Sequence, residues 1–369
     1  MQLLQLTLTD FRNYKRCVWN PTSPFVILHG ENGSGKTNLL EALSLLAPGR
    51  GLHGASSAHF CREGAHNWGI SASLKKGEHV FRLATGTAPS NTKRRVFLVE
   101  GEPVRSQSDV ASLYACVWLV PRMDRLLSDN AAHRRRFLDR LVVALFPDHA
   151  QQLAAHERSV MSRNRILATQ PSQKTWLSSV EDSISRHAVA ITDARLTFLE
   201  RMKNSAITTP GFPEIDLQLD CLLAQELQRH SALKVEDWLR DNLQKTRTDD
   251  QQRGGTRYGA HRADFSLNDT THGIRGALAS SGQQKIMLLS LLLAHAHCVQ
   301  EGWGDAPFLL LDEPLVHLDE PHRQALMTNI LERKMPSFLT GTDAGLFAPL
   351  KSSADFVHVK NGFLHPEAP

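Results

Sequence analysis

The sequence predicts an α/β fold, a core with attached antiparallel strands and a mainly helical second lobe. Three observations predict it. Gly30-Glu31-Asn32-Gly33-Ser34-Gly35-Lys36-Thr37 fits GxxxxGK[ST] between an apolar strand and a helix. Phe308-Leu309-Leu310-Leu311-Asp312-Glu313 is an apolar strand tipped by two carboxylates. Between them, residues about 129 to 205 carry apolar side chains at three- and four-residue steps, the helical period.

The elements follow in order. Leu4, Leu6 and Leu8 alternate with Gln5, Thr7 and Thr9, a half-buried strand. Phe25 to Leu28 is a short buried strand, and a helix from about Lys36 to Leu46 stops at Pro48-Gly49. Residues about 68 to 104 read as antiparallel strands, with a turn at Lys76-Gly77-Glu78. Pro147 and Pro171 divide the helical region, so about Ala150 to Thr169 and the segment after it form a hairpin. Leu177, Val180, Ile184, Ala188, Ile191, Leu199 and Met202 give that later helix one apolar face, with Arg195 and Phe198 filling the gap. Residues about 206 to 255 hold two loops and one or two helices, and Thr248 to Gly255 reads as a polar mobile stretch. A helix from about Ser281 to Gln300, the strand Phe308–Leu311, a helix from about Glu320 to Arg333 and a strand Ser337–Thr340 complete the chain. The division expected is a discontinuous head, 1–125 and 256–369, and a helical lobe, 126–255.

Composition supports a soluble globular protein. The chain has 369 residues, about two domains at roughly 150 residues each. Hydrophobic residues make up 41% and charged residues 22%, an ordinary globular balance. No apolar run reaches the ~18 residues of a membrane helix, and no signal peptide is expected. The five cysteines are scattered without a CxxC pair, which argues against a disulfide framework or zinc site and fits a reducing cytosol. The net charge of +4 permits a nucleic-acid partner without demanding one. Arginine outnumbers lysine, 29 to 13, which suits phosphate recognition or reflects codon usage.

The motifs carry phosphate chemistry. Gly30, Gly33 and Gly35 let backbone N–H groups, with those of Asn32, Ser34 and Asn38 nearby, curl round an anion at a helix N-terminus. Lys36 is expected to reach the β- and γ-phosphates of ATP, and Thr37 to ligate Mg²⁺. Asp312 supplies the second metal ligand, and Glu313 the general base that orients water. Ser280-Ser281-Gly282-Gln283-Gln284-Lys285 opens an apolar helix, with Gly282 30 positions before Asp312. The order P-loop, this segment, Asp312, then Leu318-Asp319 resembles an ABC-type ATPase, in which the signature of one protomer closes on the other's nucleotide. Ser280, Gly282 and Gln283 would then act in trans; alone, such a serine is more often an N-cap. The expected head is thus a P-loop NTPase of ABC type. No histidine follows the last strand where many such proteins carry a switch histidine; Thr342 is expected there, and no Q-loop glutamine stands out.

The spacing of 243 residues from Thr37 to Ser280 exceeds a transporter domain and is far short of a long coiled-coil arm. Here the chain resembles the RecF family over nearly its whole length. Leu8-Thr9-Asp10-Phe11-Arg12-Asn13-Tyr14, the P-loop with Asn38-Leu39-Leu40-Glu41-Ala42, Pro48-Gly49-Arg50-Gly51, Arg134-Arg135-Arg136-Phe137-Leu138-Asp139, Arg163-Asn164-Arg165-Ile166-Leu167 and Tyr258 to Phe265 carry the likeness. Ser281 stands where the family signature has arginine. The resemblance implies an ATP-dependent homodimer that clamps DNA and prefers single-strand/double-strand junctions such as gapped duplex. It implies work with RecR and RecO in loading RecA, in recombinational repair and the SOS response. A weak, DNA-stimulated ATPase in the cytoplasm, associated with the nucleoid and with no membrane partner, fits it. By the same resemblance Arg12 and Asn13 lie near the nucleotide. Candidate DNA contacts are Arg50, Arg134, Arg135, Arg136, Arg163 and Arg165, with Arg94 and Arg95 behind them; three consecutive helical arginines cannot all face one partner, and most charge runs are solvated faces. Trp118, Trp176 and Trp238 read as core residues, so duplex backbone contact is favoured over base stacking. A nuclease-linked ABC ATPase would need more than the 50 residues after Asp319, and a transporter subunit would need a membrane partner.

Overall fold

Two periodicities, near 2 and 3.6 residues, sort the chain into sheets and helices. The computed structural model describes residues 1–88, 91–104, 106–204 and 209–367. In chain order the elements are β1 (Gln2–Phe11), β2 (Tyr14–Trp19), β3 (Phe25–His29), α1 (Lys36–Leu45), β4 (Gly69–Lys76), β5 (His79–Ala88), β6 (Asn91–Val99), β7 (Glu102–Pro103), α2 (Gln107–Leu113) and β8 (Cys116–Leu119). Then come α3 (Ala131–Leu145), α4 (His149–Thr169), α5 (Lys174–Asn204), β9 (Ile215–Asp220), α6 (Leu222–Arg229), α7 (Ala232–Lys245), α8 (Arg247–Arg253), β10 (Asp264–Asp269) and β11 (Ile274–Arg275). The last are α9 (Ser281–Trp303), β12 (Phe308–Leu311), α10 (Glu320–Glu332), β13 (Ser337–Gly341), β14 (Asp355–Lys360) and β15 (Phe363–Pro366).

They form three sheets. The central one runs β15-β14-β3-β13-β12-β8, and every pairing in it but β14–β15 is parallel. β3, β13 and β12 at its centre are buried along their whole length, as a sheet covered on both faces requires. The second sheet, β2-β1-β4-β5-β6-β7, is antiparallel throughout. A bulge between Leu3 and Gln5 shifts its first alternation: Leu3, Leu6 and Leu8 are buried, and Leu4 is only half-buried. The third sheet, β11-β10-β9, joins the end of the helical region to the head.

The helical region differs from expectation after α5. Residues 206–208 of the 206–255 stretch lie outside the described residues. The rest holds β9 and three helices. β9 pairs with β10, some 50 positions later, so no local pattern announces it. The stretch expected to be mobile is largely α8, and its Asp250 is only 1% exposed.

One hydrophobic core fills the head and includes Phe137, Leu138, Leu141 and Val142 of α3 and Phe198 of α5. A second joins Ile184, Ala188, Val189 and Ile191 of α5 to Val235, Leu239 and Leu243 of α7. α5 therefore contributes to both. In the gap of its apolar face, Arg195 is buried and grips Asp139 through Nε and Nη2 at 2.8 and 2.9 Å. No helix among the described residues is long and apolar enough to cross a membrane.

Candidate nucleotide site

In parallel α/β sheets, ligands bind beyond the carboxyl ends of the strands. The sheet order places β13 between β3 and β12, so the loops leaving these three strands meet. β3 feeds the phosphate loop. Gly30 has φ 137°, and a Cβ there would stand 2.4 Å from the Val359 carbonyl oxygen. Gly35 has φ 116°, and a Cβ there would meet Asn13 Nδ2 at 2.6 Å. Glycine is required at both positions by conformation and by space. Lys36 Nζ donates to the carbonyls of Gly30 at 2.6 Å and Glu31 at 2.8 Å, so its ammonium is folded over the mouth of the loop. Burial lowers the Lys36 pKa, while Glu313 and Asp312 nearby work against that shift. Asn32 and Gly33 are exposed. Ser34 is buried, and its hydroxyl has no hydrogen-bond partner among the described residues.

The segment before β2 braces this loop. Arg12, at φ 55°, donates through Nε to Glu41 at 2.7 Å, and Asn13 Nδ2 donates to the Ser34 carbonyl at 3.2 Å. Asn38 Nδ2 donates to Asn13 Oδ1 at 2.8 Å, and the Tyr14 hydroxyl donates to the Gly35 carbonyl. Arg12 and Asn13 thus stand against the loop and its helix. Glu41 has no exposed surface. Burial would raise its carboxyl pKa, but hydrogen bonds from His53 and Arg12 outweigh this and hold it below the ordinary range. Sequence reading named Glu41 only within a motif; a carboxylate among the leucines of α1 was the available signal.

β12 delivers the acids. Asp312 is 8% exposed and accepts from Thr37 Oγ1 at 3.0 and 3.1 Å. It also accepts from Thr340 Oγ1 at 2.7 Å. Glu313 is half-buried in a left-handed conformation, φ 48°. Its N–H donates to Thr340 Oγ1 at 2.8 Å, and its carbonyl accepts from Lys285 Nζ at 3.0 Å. Thr340, wholly buried on β13, therefore orders both acids, a role the sequence reading missed. Thr342, the residue expected nearby, is exposed past the strand end. A hydroxyl at the carboxyl end of a buried strand was the only signal for Thr340, and its meaning depends on strand order.

α9 carries the glycine-containing segment. Ser280 is its N-cap: Ser280 Oγ accepts from Gln283 N at 3.3 Å, and Gln283 Oε1 accepts from Ser280 N at 2.9 Å, a reciprocal capping box. Both residues are exposed. A Cβ on Gly282 would meet the His317 carbonyl oxygen at 3.6 Å, so this turn lies beside the loop after Glu313. Among the described residues, no hydrogen bond or ion pair joins Ser280, Gly282 or Gln283 to the phosphate loop. Gln284 and Lys285, by contrast, turn inward and are buried.

The residue types fit a Mg²⁺-nucleotide. The loop is a cradle that a Cβ would fill, Ser34 Oγ is a buried donor without a partner among the described residues, and Thr37 with Asp312 forms a hard oxygen pair suited to Mg²⁺. Bound there, Mg²⁺ would neutralise charge on the phosphates.

The arginines divide. Arg50, Arg136 and Arg165 are exposed, as is Arg94. Arg134 commits its fork to Asp264, with Nε at 2.8 Å, and Arg135 donates to the Ala263 carbonyl at 2.6 Å. Arg163 is a correction: it has no exposed surface and reaches Glu181 at 3.0 Å and Asp250 at 2.8 Å. It holds α4, α5 and α8 together and cannot touch a phosphate outside. Arg95 bonds the carbonyls of Leu45, Ala47 and Gly49 at 2.6–2.8 Å, tying β6 to the end of α1. Trp176 is a second correction. It is 47% exposed, whereas Trp118 is buried and Trp238 half-buried.

Comparison with known proteins agrees with this architecture. Residues 2–361 match the family model described as the RecF/RecN/SMC N-terminal domain. The chain is 38% identical to the DNA replication and repair protein RecF of Mesorhizobium japonicum, over 98% of this chain and 97% of that one. It is 37% identical to the protein of the same name from Rhizobium etli, over 98% of each. A solved structure described as the recombination mediator protein RecF-ATPrS in the RecFOR pathway superposes with a TM-score of 0.84, at 21% identity, covering 99% of this chain and 98% of that one.

Proposed function

Since the chain belongs to the RecF family of DNA replication and repair proteins and has its ABC-type ATPase head, we propose that it is an ATP-dependent clamp on DNA. ATP is bound between two heads. Lys36 and the loop glycines hold its phosphates in one head, with Asn32, Ser34, Asn38, Arg12 and Asn13 around them. Thr37 and Asp312 hold Mg²⁺. Glu313 orients and polarises the attacking water. Ser280, Gly282 and Gln283 of the second head close on the γ-phosphate.

One observation carries this reading. Lys36, Thr37, Asp312 and Glu313 gather at one site, while Ser280 and Gln283 are exposed, their side chains engaged in the cap of their own helix, and among the described residues no hydrogen bond joins them to that site. A helix N-terminus presented in this way suits an anion brought by another protomer.

Hydrolysis opens the clamp, and the missing switch histidine suits slow turnover. DNA contact runs through exposed arginines, with Arg50, Arg136 and Arg165 the remaining candidates, so binding is mainly to backbone and weakens with salt. The protein prefers gapped duplex and its junctions, works with RecR- and RecO-type mediators in loading RecA, and resides in the cytoplasm with the nucleoid. The working domain division is 1–125 with 256–369, and 126–255.

The test is fluorescence anisotropy on a gapped duplex at several salt concentrations, with and without ATP–Mg²⁺. ATP should tighten binding, and Lys36→Met should lose that gain. In sedimentation, Glu313→Gln should accumulate as a nucleotide-bound dimer. A Glu313→Gln protein that stays monomeric in saturating ATP ends the paired-head reading.

A further inference from the structure

Lys285 is one turn into α9 from the exposed Ser280, yet only 1% of it is exposed. A buried ammonium needs partners, and it has three. Nζ donates to the Glu313 carbonyl at 3.0 Å and the Val316 carbonyl at 2.8 Å, and Asp124 Oδ2 lies 3.7 Å away. The two carbonyls bracket the chain that leaves β12. Glu313 itself is in a left-handed conformation with φ 48°, which costs a non-glycine residue free energy and needs fixing from outside. Its N–H is fixed by Thr340 and its carbonyl by Lys285, so its peptide groups are pinned on both sides. Gln284, next on the helix, accepts from Leu127 N at 3.1 Å and donates to the Ala279 carbonyl at 3.0 Å, anchoring the same turn on its other side. The first turn of α9 is therefore attached rigidly to the general base of its own head.

We propose that Lys285 is a positioning residue that couples the exposed start of α9 to Glu313 of the same head. The inference rests on the paired-head reading. When Ser280 and Gly282 engage the nucleotide held by the partner, the small displacement of α9 passes through the Lys285 ammonium to the Glu313 and Val316 carbonyls. Each head then sets its own base according to whether the other site holds ATP. The two sites fire as a coupled pair, and neither base is in place while the opposite site is empty.

Mixed dimers separate this role from a structural one. Glu313→Gln silences one site, so only the other head turns over. In the first dimer, a Glu313→Gln head is paired with a Lys285→Met head; the working base then lacks its own lysine. In the second, a head carrying both Glu313→Gln and Lys285→Met is paired with an unaltered head; the working base keeps its lysine, but the signature facing its ATP has lost one. The expected result is turnover at least ~10-fold slower in the first dimer, about one hydrogen bond's worth of barrier. ATP affinity should stay within about threefold, and the second dimer should match a Glu313→Gln/unaltered control. A slow second dimer, or equal rates in the two, overturns the proposal, because the lysine would then serve the signature itself. If Lys285→Met does not fold, Lys285→Gln replaces it in both dimers with the same outcomes. Failure of the Glu313→Gln/unaltered control to pair in ATP is a different result, and it removes the paired-head reading.

Discussion

Thr340 shows how a single hydroxyl can order a site. It donates to Asp312 and accepts from Glu313 N–H, so one oxygen fixes both carboxylate-bearing residues. Thr340→Val keeps the shape and removes both bonds. Turnover should fall ~10-fold or more while ATP affinity stays within about threefold, since the lost contacts act on the base rather than on the phosphates. Steady-state kinetics beside an equilibrium nucleotide titration will show it; an equal loss in both would place Thr340 in binding instead. Legibility at this scale was uneven. That Lys36, Thr37, Asp312 and Glu313 would meet could be read directly, because a glycine loop after one buried strand and two acids at the tip of another fix where they fall. Thr340, Glu41 and Lys285 could not, because their roles come from neighbours on other strands and helices that no local pattern records.

The same contrast holds for the elements. β3, α1, β12 and β13 were readable to within a residue or so, since buried strands and a helix bounded by a glycine loop and Pro48-Gly49 leave strong local marks. β9 and α8 were not. β9 is held by β10, and α8 has a polar sequence that is anchored by Asp250 meeting Arg163 of α4 and by Arg247 meeting Glu181 of α5. Arg163, a candidate DNA contact by sequence, is instead the centre of a buried ion cluster with Glu181, Asp250 and the Leu243 carbonyl. Arg163→Met would leave two buried carboxylates short of a partner. The expected cost is on the order of 3 kcal/mol of stability, visible as a lowered denaturation midpoint, with gapped-duplex affinity unchanged within about twofold. A variant of normal stability with weakened DNA binding would return Arg163 to the surface.

At the scale of the whole molecule, stability should depend on pH through two buried imidazoles. His295 has no exposed surface, and its Nε2 stands 2.9 Å from the Leu141 carbonyl oxygen; burial lowers its pKa to about 4. His156 is lowered to about 3, first by burial and then by His261 and Arg195. Both folded values lie below the ordinary histidine value near 6.5. Their contribution is therefore complete above about pH 6.5 and is lost as pH falls toward the folded values, because the unfolded chain takes up protons first. Each should remove about 2 kcal/mol by pH 5. Urea denaturation between pH 7.5 and 5 will measure the slope, and His295→Gln should flatten it by close to one proton. An unchanged slope would show that His295 does not carry the effect.

α5 has a consequence of a mechanical kind. Its 31 residues contain no glycine or proline, and it is continuous helix through both cores. At 1.5 Å per residue it is a beam of about 46 Å, gripped within its length by the lobe core at Ile184 and its neighbours and, further along, by the head core at Phe198. A beam gripped at two points along an unbroken span transmits bending and torque but has no elbow between them. The lobe and the head core around Phe198 must then turn together. Relative motion has to come from slip between packed faces, small in amplitude and felt at a distance, in the manner of a crank rather than a door.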